Sequence, residues 1–381
     1  MRYKSLIILL LSPFVSFKSF GQISQVQIAR NTVGKLQAAI AAGKDKNQQL
    51  SIIGEGIKAV ESAQNDRRTK NWPETWSIKG YLSSYIAIID EDETNSDKYF
   101  NLAQESIATA TKLDRYQDNA KLIEATNINL IVKKQDNGNK AYLNNEFSSA
   151  LVLLKEVSDF YPKDTATAIN AGIAAQNIQS YEDALTYLKR AKDNGAKNPI
   201  LFQALAKIYT SKFENELALK TLQDGIRINP YNRFLTYDYI NLLLDTEKYT
   251  QASEVIEGTL KGETKNKLLY FLYGYLHQLN GNISTAELAY KKAIALDPNY
   301  FNALYQMGLA YADKANEALK SNKETEKQNF VSYINRSEYA LLQAHEINPN
   351  DRPTVQLLIE IYSRKNRLDK VQDLKRKLQE F

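Results

Sequence analysis

The chain of 381 residues repeats itself every 34 residues. Copies begin at Ile131, Thr165, Pro199, Arg233, Lys267 and Phe301, with no insertion between successive starts. Position 20 of the first five copies is Ala150, Ala184, Ala218, Ala252 and Ala286. Position 8 reads Gly138, Gly172, Ala206, Ile240, Gly274 and Gly308, and position 24 reads Leu154, Leu188, Leu222, Ile256 and Tyr290. A period of this length means that each copy is a supersecondary unit too small to bury its own apolar face, so that neighbours must stack into a continuous core. Each copy carries two stretches with apolar residues three and four apart, the pattern of paired amphipathic helices. Small residues at 8 and 20 let the two helices cross closely, and the larger residue at 24 fills the flanking space. Asn280-Gly281 marks a turn between the helices of one copy, and Asp297-Pro298 closes the second helix, because proline lacks the donor that continuation needs. Position 32 is proline at Pro162, Pro230 and Pro298, with Ala196 and Thr264 as exceptions.

Degenerate copies flank this array. Trp76 and Gly80 fit positions 4 and 8 of an earlier copy whose second helix, marked by Ala103, Ile107 and Ala110, arrives 11 residues late; the acidic run Asp90–Glu93 falls in the inserted stretch, read as a loop. The copy at Phe301 has a 17-residue delay before Ser337, Leu341, Ala344 and Pro349. Its insert, around Asp313–Asn329, is polar and charged and is expected to extend a helix into solvent. Residues 22–130 thus hold degenerate helix pairs, 131–300 five regular copies, 301–350 a copy with an insertion and 351–381 a capping pair with a basic second helix. About nine pairs cover residues 22–381.

This pattern resembles the tetratricopeptide repeat family, most closely over Tyr270–Pro298, reading YFLYGYLHQLNGNISTAELAYKKAIALDP. The resemblance implies an all-α fold, a right-handed superhelical solenoid. It also implies that first helices line a concave groove, with positions 2, 5, 9 and 12 pointing into it. Here these include Phe234, Tyr237, Asn241, Phe271, Tyr275 and Tyr305, an aromatic surface with polar tips. Aromatic side chains make good anchors for a peptide or helix, offering large area at low entropy cost; filling gaps between adjacent pairs is the other use for them. Family members that grip a C-terminal carboxylate use a lysine, two asparagines and a basic pair. Asn139 and Asn170 match the asparagines, but Gln135 stands for the lysine and Ile200 and Ala204 for the basic pair. A two-carboxylate clamp is therefore not expected, whereas the asparagines remain suited to holding a peptide backbone.

Composition narrows the function further. The apolar fraction of 43% belongs to a folded chain, and 15 Gly and 8 Pro suit a run of helices. At the N-terminus Arg2 and Lys4 precede the apolar run Leu6–Leu11, and Ser19 and Gly21 flank Phe20. Met1–Gly21 reads as a cleaved secretory signal, with Gln22 as the mature start. The signal holds Arg2, Lys4 and Lys18, so the formal charge of +5 falls to +2 in the mature chain. Its Lys and Arg residues are interspersed with Asp and Glu, which argues against a nucleic-acid platform. There is no cysteine to carry a disulfide or a lipid anchor. The Phe-Gly-Gln ending and the Asn/Lys/Ile-rich composition resemble exported proteins of Bacteroidetes. A periplasmic or secreted location follows as the expectation, with no membrane insertion after cleavage.

No catalytic constellation, metal-ligand cluster or phosphate-binding loop stands out, and no cofactor is expected. Of the two histidines, His277 and His345, His277 sits at position 11, a packing position occupied by Tyr209 and Tyr311 in sister copies. Asp90–Glu93 lacks the alternating ligands and central glycine of a calcium loop. The expectation is a non-enzymatic scaffold that binds a protein or peptide partner in the groove. The alternative is a periplasmic chaperone or carrier holding exported polypeptides.

Overall fold

The computed structural model describes residues 24–320 and 324–379. The signal segment expected at Met1–Gly21 lies outside the described residues. Among those described are eighteen α-helices and no strand. They fall into two compact units that divide after Ala196.

The N-terminal unit pairs α1 (Gln25–Ala41) with α2 (Lys46–Asn65), α3 (Pro73–Ile89) with α4 (Glu93–Leu113), α5 (Ala120–Leu143) with α6 (Phe147–Phe160) and α7 (Thr165–Asn177) with α8 (Tyr181–Asp193). The C-terminal unit pairs α9 (Pro199–Ser211) with α10 (Asn215–Ile228), α11 (Arg233–Asp245) with α12 (Tyr249–Leu260), α13 (Lys267–Leu279) with α14 (Ile283–Leu296), α15 (Phe301–Lys320) with α16 (Glu324–Ile347) and α17 (Arg352–Arg364) with α18 (Leu368–Gln379). Within each unit a helix packs on its partner and on the next pair, giving an all-α repeat solenoid. The core is correspondingly a string of local clusters, such as Leu36, Ile53, Val60 and Leu82 across α1, α2 and α3.

The first helices α7, α9, α11, α13 and α17 start where the period places them because a side-chain cap precedes each of these five. Asp164, Asn198, Asn232 and Asn266 accept hydrogen bonds from the first free backbone N–H groups of α7, α9, α11 and α13, and Asp351 does so for α17. They stop by a shared device as well. Position 15 takes the left-handed conformation in every turn of this kind, at Asn145, Gln179, Phe213, Glu247, Gly281 and Asn366. The next residue donates back to the last turn, as Ser180 N does to Ala175 O at 2.9 Å and Glu214 N to Tyr209 O at 2.8 Å, closing a Schellman motif. Only Gly281 adopts this backbone without strain. Phe213 does so as an almost fully exposed aromatic, which makes no compensating contact. Left-handed backbone costs a non-glycine residue about 1–2 kcal/mol, and glycine's extra freedom in the unfolded chain takes back about 0.5–1. Phe213→Gly is therefore expected to stabilise the C-terminal unit by about 0.5–1 kcal/mol, read as a higher denaturant midpoint.

The small residue at position 8 is set by space. A Cβ on Gly172 would stand 2.5 Å from Leu188 Cγ, one on Gly274 2.7 Å from the Tyr290 ring, and one on Gly308 2.6 Å from Leu341 Cγ. Position 8 thus receives the side chain at position 24, and the contact with position 20 is to backbone, as at Ala286 O, 3.2 Å from that Cβ on Gly274.

Among the described residues both insertions are taken up by longer helices. α3 has 17 residues and α15 has 20, against 13 in α7, α9, α11 and α13. α4 has 21 and α16 has 24, against 14 in α10 and α14. These extensions absorb both delays completely. The acidic run is accordingly not an inserted loop: Asp90–Asp92 is an ordinary three-residue turn and Glu93 opens α4. Asp92 caps that helix, Glu91 pairs with Lys46 at 2.7 Å, and Glu93 pairs with Lys140 at 3.0 Å. The lysine bonds hold Glu91 and Glu93 below the usual carboxylate range. Polar side chains along a solvated helix extension need no burial, so nothing in Glu93–Lys98 opposes helix. The helix at Ile131 also differs from expectation, because α5 begins 11 residues earlier at Ala120. The added turns pack on α3, where Asn129 Nδ2 donates to Ser84 Oγ at 3.0 Å.

Candidate partner-binding surface

The first helices present three kinds of position. Position 5 is half-buried, except for the buried Ile169, and at several repeats it reaches the next first helix or the residues that open it. In the N-terminal unit the Gln135 amide donates to Asp164 Oδ2 at 3.3 Å and to Thr167 Oγ1 at 3.1 Å. In the C-terminal unit Gln203 Nε2 donates to Asp238 Oδ2 at 2.5 Å. The Tyr237 hydroxyl donates to Glu263 and accepts from Asn266 Nδ2 at 3.0 Å, and Asn266 is itself the cap of α13. Phe271 meets the edge of Tyr300 at 5.6 Å, just before α15. Tyr305 stacks on Phe301 at 6.1 Å and packs against the core shared with α17. Position 5 is thus a clasp between successive repeats. Burial first, and the Glu263 bond second, pushes Tyr237 above the ordinary phenol range; burial does the same to Tyr305. Both remain neutral hydroxyls near neutral pH.

Position 9 is more open. Asn241 and Tyr275 are exposed, and Tyr275 stacks on Phe271 with centroids 6.4 Å apart. Asn139 and Asn170, in α5 and α7, come together in a side-chain hydrogen bond of 3.3 Å. The two asparagines therefore belong to the N-terminal unit, and the aromatic residues to the C-terminal one.

Position 2 holds the largest exposed apolar side chains of this face. Ile200, Phe234 and Leu268 occupy it in three successive repeats, and Phe234 is 70% exposed. Phe234 was legible from the sequence as a groove residue; Ile200 and Leu268 were not read as contacts, although the same period that picks out Phe234 puts both at its position. No burial is gained by an apolar side chain left in water at the same position of three repeats.

The histidine at position 11 is a packing residue, half-buried, with the Tyr273 ring edge-on at 4.4 Å from His277. Deep burial drives the Tyr290 hydroxyl upward, and it donates to Gln278 Oε1 at 2.6 Å; Tyr311 is pushed up to about 12 by burial and then by Glu287.

Residues 274–314 match a family model described as TPR repeat. The chain is similar to the tetratricopeptide repeat proteins. The TPR match spans the end of α13, all of α14 and the first part of α15, the stretch where Gly274, Ala286, Tyr290 and Pro298 keep the repeat's pattern most fully. No curated protein matches the sequence. Among solved structures the chain is similar to YrrB, described as a TPR protein with an unusual peptide-binding site, at 16% identity over 53% of this chain and 96% of that one, with a TM-score of 0.41. It is similar to MamA from Desulfovibrio magneticus at 18% identity over 46% and 96% of the two chains, with a TM-score of 0.35. A third similarity is to the C-terminal part of a TPR repeat-containing protein from Cytophaga hutchinsonii, 11% identical over 58% and 98%, with a TM-score of 0.42.

Proposed function

We propose that this chain is a non-enzymatic scaffold of the periplasm or cell envelope that binds a partner peptide or helix along the first-helix face of its C-terminal unit. The observation that carries the reading is the exposed row Ile200, Phe234 and Leu268. The clasps at position 5 hold successive first helices in register, so a bound segment would meet apolar side chains at regular intervals, with Asn241 and Tyr275 offering hydrogen bonds beside them. Large apolar groups left in water along a regular row are what a partner would bury. The test is to crosslink the protein in its native cell, identify the attached partner, and measure its affinity for variants of the row.

The exported location rests on the Arg2/Lys4 head, the apolar run Leu6–Leu11 and the small residues around Phe20. The protein isolated from its own cell is expected to begin at Gln22. Terminal sequencing reads this directly, and an intact Met1 on soluble cytoplasmic protein would overturn it. Within this reading a fixed partner recovered in constant proportion marks a scaffold, whereas weak binding to many unfolded chains marks a carrier.

A further inference from the structure

One of the regular repeats of the C-terminal unit departs from the packing rule at position 8, and a cleft lies beside it. Where the other regular copies carry glycine or alanine, α11 carries Ile240, which is buried, as is Ile256 of α12. The α11–α12 pair is the most loosely packed of the nine, and α12 buries only Ala252 and Ile256. Between α10, α11 and α12 lies an open cleft of about 650 Å³. Ile200, Phe234 and Leu268, the exposed row of the first-helix face, do not line it.

The floor and mouth of this cleft differ in character. Ile226, Pro230 and Val255 give it apolar walls. Gln223 donates to the Tyr239 hydroxyl across the floor. At the mouth stand Arg227, Arg233 and the almost fully exposed Tyr231. Each arginine has an acidic partner, but the signs are not equally accessible. The Arg227 side chain is 77% exposed and its partner Asp224 is 27% exposed; the Arg233 side chain is 70% exposed and its partner Glu263 only 12%. Glu263 is further enclosed by Tyr237 and Asn266. An approaching ligand therefore meets two guanidinium groups, whose planar forks suit carboxylates, while the compensating anions are recessed. Two arginines are too few to hold a phosphate polymer.

We infer that this cleft is a second binding site, for an acidic peptide segment that inserts an apolar or aromatic side chain between α10 and α12 and sets a carboxylate on Arg227 and Arg233. The inference does not depend on the first-helix reading. It is tested by selecting displayed random dodecapeptides on the purified protein. The enriched peptides are expected to combine Asp or Glu with an aromatic or aliphatic residue. They are expected to bind Arg227→Glu at least tenfold more weakly, and Tyr231→Ser several-fold more weakly, while binding Leu268→Ser and the surface control Lys375→Glu as they bind the parent. Hydrogen exchange with bound peptide should slow at the end of α10 and in α12. Peptides without an acidic bias, equal binding to Arg227→Glu, or no enrichment at all would overturn the inference. So would an equal loss with Lys375→Glu, which would mark unspecific charge attraction, and a loss with Leu268→Ser, which would place the peptides on the first-helix face.

Discussion

Gly274→Leu is expected to cost about 1–3 kcal/mol of stability, through overpacking at the crossing of α13 and α14. Even a Cβ there would stand 2.7 and 2.8 Å from ring atoms of Tyr290, closer than side-chain carbons approach anything. Tyr290 cannot swing aside, because it is fully buried and its hydroxyl is bonded to Gln278. Repeat arrays couple through nearest neighbours, so the damage should centre on α12 to α15 and leave the N-terminal unit intact. Hydrogen exchange resolved by segment measures this. Gly80 supplies the control at the same position of an earlier repeat: its nearest neighbour to a Cβ is Thr126 Cγ2 at 3.5 Å, an ordinary contact. Gly80→Ala should be tolerated, or gain a little from helix propensity. Equal costs for the two would mean that the seat under position 24 is not what demands the glycine.

The regular repeats were legible because several independent signals coincide. The residues at positions 8, 20 and 24 repeat in one register, and α7, α9, α11 and α13 start where that register places them, at Thr165, Pro199, Arg233 and Lys267. Where a signal is single, the reading failed. The late arrival of Ala103 locates an insertion but does not say what form it takes, and a polar run such as Glu93–Lys98 satisfies a solvated helix as readily as a loop. The start of α5 at Ala120 was hidden for the same reason, since its extra turns pack on α3 and not on a repeat partner. On the first-helix face, periodicity tells which side chains share a helix stripe. It does not tell which are already occupied, because that depends on the next repeat: Tyr237 and Phe234 are three residues apart, yet one is bonded to Asn266 and the other stands in water.

That distinction sets the second large effect. Replacing Ile200, Phe234 and Leu268 together by serine should weaken partner binding by roughly 2–4 kcal/mol in total, about 30- to 1,000-fold in affinity. Melting should hardly change, because the three side chains are exposed in the free protein. Tyr237→Phe should behave in the opposite way. It removes the hydroxyl's bonds to the Glu263 carboxylate and the Asn266 amide, which keep each other and Arg233 as partners, at a cost of about 1–3 kcal/mol, while leaving the exposed row in place. Affinity measured alongside thermal unfolding separates the two variants. Loss of stability in the triple-serine protein would mean that the row is packed in the free molecule. Unchanged affinity in that protein would mean that the row is not the contact.

The most direct measurement places a photo-crosslinking amino acid at Phe234, at Leu268 and, for comparison, at Leu288, an exposed residue of the second helix α14. Irradiation in the native cell then reports which face a partner covers without altering the rest of the surface. A discrete crosslinked partner shared by positions 234 and 268, and absent at 288, is the predicted result. Crosslinks from 288 alone, or none at 234 and 268, would contradict a scaffold that works through its first-helix face.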